Sequence, residues 1–164
     1  MEKVVQFKIK APLQRYLIVF FSFYILFFDK GFCGQIPSFK IGNIKISQVW
    51  TPAPPPNAKS AASYMIIRNL GSSNDTLLGV TSSIANFTMI HQNIIEDGIV
   101  KMVHVDELLI ESKMDTILSS GGFHIMFMGL KKRLKPGESY TLNLNFKKSG
   151  TLKLKVPILK KAPN

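Results

Sequence analysis

The chain has 164 residues, a formal net charge of +11 and a single cysteine. That length suggests one domain plus an extension, and a lone cysteine excludes both an internal disulfide framework and a cluster of thiolate ligands. So basic a balance raises nucleic acid as a partner. Yet the charges fall in scattered groups (Lys131, Lys132, Arg133 and Lys135; Lys147 and Lys148; Lys160 and Lys161) without interleaved aromatics, so no nucleic acid is expected.

The first predicted element is an export segment. Residues 1–15 carry Lys3, Lys8, Lys10 and Arg15 against Glu2, and Tyr16 to Phe28 is an uncharged run stopped by Asp29 and Lys30. A basic stretch followed by such a run fits a secretory signal peptide. It is short for a transmembrane helix, which needs about 20 apolar residues. The nearest small-x-small cleavage sequence is Gly31-Phe32-Cys33. Residues 1–33 are therefore expected to be a signal peptide or, if uncut, an N-terminal anchor that associates with a membrane through residues 16–28. Bulky Phe32 argues against lipid attachment at Cys33. The remainder, 34–164, then contains no cysteine, keeps a net charge of +8, and is long enough to bury its own core. Its basic surface suits an acidic partner or an anionic membrane face.

Short strands separated by turn residues follow. Ile41–Trp50 alternates in part (Ile44, Ile46, Val49). Thr51 to Asn57, with four prolines, cannot be a central strand because proline lacks the ladder donor. Further strands are expected over Ala61–Arg68, Thr76–Ser82, Phe87–Ile95, Ile99–Val105, Gly122–Met128, Ser139–Phe146 and Thr151–Val156. Turn pairs such as Asp97-Gly98, Gly121-Gly122, Pro136-Gly137 and Ser149-Gly150 stand between them. No stretch holds a helical period. About eight closely spaced strands indicate an all-β antiparallel sandwich or barrel.

Two segments carry the chemistry. In Gly121-Gly122-Phe123-His124-Ile125-Met126-Phe127-Met128, strand alternation puts His124, Met126 and Met128 on one face and Phe123, Ile125 and Phe127 on the other. His124 and Met126 are then roughly 6.5–7 Å apart at Cα, close enough to grip one ion. The second segment is the hairpin about Asp97-Gly98, a strong type I′ signal. A two-residue loop there pairs Glu96 with Ile99, Asn93 with Met102 and His91 with His104. His91 and Met102 then share a face, diagonal to one another. Thioether sulfur is soft and uncharged and favours Cu(I), while imidazole suits copper generally. Such a set holds Cu(I) without a thiolate, in an oxidising compartment where cysteine would be lost. Against this stands the ordinary role of strand methionines as core and of strand histidines as surface or hydrogen-bonded groups.

The spacing His91-x10-Met102-x21-His124-x-Met126 resembles the signature of the periplasmic copper chaperones called PCu(A)C. The resemblance extends to Trp50, the Pro-rich loop before Ala58-Lys59, Ala61-Ala62-Ser63-Tyr64, Ile67-Arg68-Asn69, Glu96-Asp97-Gly98 and Gly121 to Lys131, and covers about Ile44 to Pro157. It implies a cupredoxin-like β-sandwich in the bacterial periplasm, free or anchored to the inner membrane. It also implies a non-enzyme that binds one Cu(I) through His91, Met102, His124 and Met126. The implied recipient is the copper A site of cytochrome c oxidase subunit II, reached directly or with a Sco-type copper protein. Two departures narrow this. Gln92 and Asn93 follow His91 where many members have a methionine, and the chain ends Leu159-Lys160-Lys161-Ala162-Pro163-Asn164 rather than in a His/Met-rich tail for Cu(II).

Three residues are expected beside the site rather than in it. Met128 would pack next to the ligands, and His104 would face His91 in an outer or solvent role. Trp50 would either lie over the site, restricting solvent, or sit in the core. The competing functions are copper storage or resistance, a metal-free β-sandwich module and an electron-transfer cupredoxin. The last needs a cysteine thiolate beside two histidines, which residues 34–164 lack.

Overall fold

The computed structural model describes residues 37–163. Residues 1–33, with Cys33 and the proposed cleavage sequence, lie outside the described residues. No helix among the described residues is long and apolar enough to cross a membrane.

Among the described residues eleven strands form: β1 (Phe39–Ile41), β2 (Ile44–Pro52), β3 (Ser60–Asn69), β4 (Asp75–Thr81), β5 (Ala85–Glu96), β6 (Ile99–Val105), β7 (Leu108–Ile110), β8 (Asp115–Leu118), β9 (Phe123–Leu130), β10 (Ser139–Phe146) and β11 (Gly150–Leu159). The eight expected strands are all present, with ends moved by a few residues. The three additional strands, β1, β7 and β8, are only three or four residues long, too short for alternation to reveal them. The proline-rich connection begins two residues later than expected. Thr51 and Pro52 still belong to β2, where they run parallel to Ile158 and Leu159 of β11 at the strand's last positions.

The strand order is β6-β5-β9-β8-β3-β2-β11-β10-β4-β7, with β1 added to β2 and β9 also pairing β3. The parallel contact of β11 with β2 joins the two halves of this sheet, and both halves contribute to one core. Ile67 of β3, Ile125 and Phe127 of β9, Leu142 and Leu144 of β10 and Val156 of β11 are completely buried there. Phe127 meets Tyr140 edge to face across the layers, at 5.4 Å between ring centroids. The partial alternation of β2 has a local cause. Its register against β3 shifts between Ser47 and Trp50, and Gln48 takes a φ of 50°. A bulge of this kind inserts one residue, so Ile44 and Ile46 face the core before it and Val49 and Thr51 after it.

Two groups of polar side chains taken toward the interior are satisfied by one another or by backbone donors. Tyr140, Ser63 and Thr51 join their hydroxyls in a buried triangle. Burial pushes the Tyr140 phenol up to about 12, against the opposing pull of those two hydroxyls. Asp75 ties the start of β4 to the β10–β11 turn. It accepts the Thr76 and Lys148 amides on Oδ1 and the Ser149 amide and hydroxyl on Oδ2. Burial alone would raise its carboxyl, but these four donors hold it below the usual carboxylate range.

Candidate metal centre

The site is assembled by three neighbouring strands, and the hairpin turn fixes their register. Asp97 and Gly98 both adopt positive φ, 54° and 75°, as a type I′ turn requires. Glu96 pairs Ile99, Asn93 pairs Met102 and His91 pairs His104, as the sequence predicts. On the other side of β5, His91 pairs His124 of β9 and Met89 pairs Met126. Ala62 of β3 then lies opposite Met126. Because opposed residues of an antiparallel pair share a face, Met89, His91, Met102, His104, His124, Met126 and Met128 all project from one side of the sheet. Ile90, Ile125 and Phe127, on the other side, are buried in the core. Gly129 follows the His124–Met128 stretch of β9. Its φ is +68°, and a β-carbon there would sit 2.7 Å from Asn86 Nδ2, so no other residue fits without strain.

The two imidazoles differ in preparation. His124 is buried, and its Nδ1 lies 3.1 Å from the Gly122 carbonyl oxygen. A carbonyl can only accept, so the proton sits on Nδ1 and the lone pair on Nε2, the arrangement that orients a metal-binding histidine. His91 lies with its ring centroid 6.0 Å from that of His124 and 5.9 Å from that of His104. Its Nδ1 is buried without a hydrogen-bond partner. An orphaned polar atom of this kind costs about 1–3 kcal/mol, a cost relieved if a metal ion accepts its lone pair. Burial, followed by the nearby His124 and His104, lowers the His91 pKa below its ordinary value. His91 is therefore neutral at neutral pH, with no proton to displace.

The thioethers complete the arrangement. A shallow cavity of about 260 Å3 is lined by Met102, His124 and Met126 together with Ala62, Tyr64 and Asn93. Met102 is half exposed on the outermost strand, while Met126 is partly buried between β5 and β3. The structure thus brings His124, Met126 and Met102 to one cavity, with His91 directly across the strand pair from His124. Among the described residues, no three His, Cys, Asp or Glu side chains are grouped to hold a metal ion. A hard divalent ion would lack oxygen donors at this cavity, whereas two imidazoles with two thioethers form a borderline-to-soft set.

The flanking residues fall outside this cavity. His104 is exposed, and its Nε2 stands 3.2 Å from Asp106 Oδ1. Met128 is 41% exposed and pairs with Phe87 further along the sheet. Trp50 neither lines the cavity nor belongs to the buried core. It packs on Tyr64 at 5.6 Å between centroids, and Tyr64 in turn lines the cavity. Sequence reasoning missed Met89, which stands opposite Met126. Counting two residues back from His91 along the same strand face would have found it.

A family model described as "Putative lipoprotein LpqE-like" matches residues 44–158, and the chain belongs to this LpqE-like family. It is 28% identical over 125 residues to "Putative lipoprotein Lxx21020" of Leifsonia xyli subsp. xyli, a match covering 76% of this chain and 74% of that protein. The fold is similar to the copper-bound PCuAC domain from PmoF2, with a TM-score of 0.66 at 21% identity over 77% of this chain and all of that one. It is likewise similar to the apo PCuAC domain from PmoF1, with a TM-score of 0.64 at 26% identity, 77% of this chain and all of that one. The Cu(I) form of DR1885 from Deinococcus radiodurans gives a TM-score of 0.59 at 26% identity, covering 76% and 81% of the two chains. The cupredoxin-like β fold expected from the sequence is therefore the fold observed.

The lowered His91 pKa has a thermodynamic consequence. Between that value and the unfolded value of about 6.5, the unfolded chain binds the proton and the folded chain does not. This contribution to stability is complete above pH 6.5 and declines as pH falls through that window. An NMR titration of the metal-free protein should place the His91 ring midpoint below 6.5, and His91→Gln should flatten the decline seen in urea melts. A midpoint at or above 6.5 would contradict the geometry described for this ring.

Proposed function

We propose that this protein is an exported metallochaperone that binds one Cu(I) through His91, Met102, His124 and Met126. Its cargo would go to the copper A site in subunit II of cytochrome c oxidase, directly or through a Sco-type copper protein. The observation that carries the reading is the convergence of Met102, His124 and Met126 on one shallow cavity lined by no carboxylate or thiolate, with His91 directly across the strand pair from His124. His124, its tautomer set by the Gly122 carbonyl, and His91, with its unpartnered Nδ1, would supply nitrogen. Met102 and Met126 would supply sulfur.

Function follows from the donor chemistry. All four ligands are neutral, so the ion leaves by ligand exchange without protonating a thiolate. Met102 is half exposed on the outermost strand and would be the first to yield to an incoming donor. The basic surface, with net charge +8 over residues 34–164, favours encounter with an acidic partner. The copper named in the PmoF2 and DR1885 structures and the lipoprotein descriptions of the family and its relative support a copper-handling, exported protein. Periplasmic residence, with the chain cut after Cys33 or held at the inner membrane by residues 16–28, accords with these. Lys30-Gly31-Phe32 before Cys33 favours either over lipid attachment.

Anaerobic Cu(I) titration against a competing chelator should give one ion per chain. His124→Ala, Met102→Leu and Met126→Leu should each weaken binding by at least the roughly 10–100-fold that loss of an outer-sphere partner costs at metal sites. Wild-type affinity in His124→Ala would sink the assignment. For the recipient, deletion of the gene should lower oxidase activity when copper is scarce and be rescued by added copper. Unchanged activity at every copper level would point to a different recipient or to storage.

A further inference from the structure

Two further thioethers, Met89 and Met128, stand beside Met126 where a sheet's solvent side is ordinarily polar. Met89 pairs Met126, and Phe87 pairs Met128. The Asn93 amide donates to the Gly122 carbonyl oxygen, so by alternation the 91/124, 89/126 and 87/128 pairs are of the hydrogen-bonded kind, with Cα atoms about 5.5 Å apart. Met126 and Met128 are two residues apart on β9, roughly 6.5–7 Å, and Met89 and Met128 are diagonal neighbours. None of the three belongs to the core cluster, whose one methionine is Met65. Met128 is 41% exposed and Met89 and Met126 are partly buried. Packing therefore does not explain three methionines at these positions. Their unbranched side chains can swing together about a single soft ion.

We propose that Met89, Met126 and Met128 form a second, all-thioether station for a soft monovalent ion, adjoining the His/Met site and sharing Met126 with it. This rests on the copper reading above for the role of Met126 as a shared ligand. An ion passing between the two stations keeps its bond to Met126. The bonds to His91, His124 and Met102 break, those to the sulfurs of Met89 and Met128 form, and no electron or proton moves. Both stations lie on one sheet face, so the path is a step of one residue pair along β5 and β9, from the buried imidazole end toward exposed Met128. The second station has no nitrogen donor, so it holds Cu(I) or Ag(I) and discriminates against divalent ions.

Ag(I) is the probe, with the 13C-labelled methionine methyl groups of the full exported chain as the readout. A His91→Ala/His124→Ala variant should still bind one Ag(I), about 10–100-fold more weakly than wild type, with shifts confined to the Met89, Met126 and Met128 methyls. Adding Met89→Leu and Met128→Leu should weaken that residual binding at least a further tenfold. In wild-type protein, raising Ag(I) past one equivalent should shift the Met89 and Met128 methyls, a measurement that does not depend on how the variants fold. The station is overturned if the double-histidine variant binds no Ag(I), if the leucine substitutions leave its affinity unmoved, or if the wild-type methyls of Met89 and Met128 stay in place. Failure of the His/Met site itself would look different: wild-type affinity would not respond to the histidine substitutions at all.

Discussion

The arrangement depends first on the register set by Asp97-Gly98. Side chains in a strand alternate with a period of two, so a slip of one residue would send His91 to the core and Ile90 to solvent. A type I′ turn with both central residues at positive φ permits one pairing of β5 with β6, and that pairing sets Met102 diagonal to His91. The buried back face of the same strands, with Ile90, Ile125 and Phe127 in the core, holds the register between β5 and β9 independently. Two unrelated constraints, turn geometry and apolar burial, therefore agree on which residues share the face of the proposed site.

This construction separates rigidity from accessibility. The nitrogen side is prepared in advance: His124 is buried and oriented through Gly122, and His91 has given up solvent at Nδ1. The sulfur side is looser, with Met102 half exposed on the outermost strand. In the proposed copper site, a pre-organised half would supply affinity, since its ordering entropy is already spent in folding. A flexible half would let an incoming donor displace one ligand at a time. Neutral donors matter equally, because a thiolate would hold the ion with a full charge and expose the site to oxidation.

Much of this was legible in the sequence, for identifiable reasons. Strands with clean alternation or clear turns, such as Ile99–Val105 and Ser139–Phe146, are found at their expected bounds. The His91–His104 and Asn93–Met102 pairings followed from one dipeptide. The pairing of β5 with β9, which brings His91 opposite His124, is a long-range contact that no local pattern encodes, and the resemblance to copper chaperones supplied it only indirectly. β1, β7 and β8 are too short to carry a period, and the bulge at Gln48 broke the alternation of β2. Met89 was not conspicuous because a strand methionine is ordinarily core, and only the long-range pairing of β5 with β9 sets it opposite Met126. Trp50, expected over the site or in the core, instead packs on Tyr64, a relation that depends on the β2 bulge.

The central claim is that two imidazole nitrogens and two thioether sulfurs hold one Cu(I). X-ray absorption at the copper edge on the anaerobically loaded protein tests it most directly. The account predicts a Cu(I) edge with two nitrogen and two sulfur scatterers, one sulfur being lost in Met126→Leu. A first shell of nitrogen and oxygen alone, or a sulfur count untouched by that substitution, would contradict it.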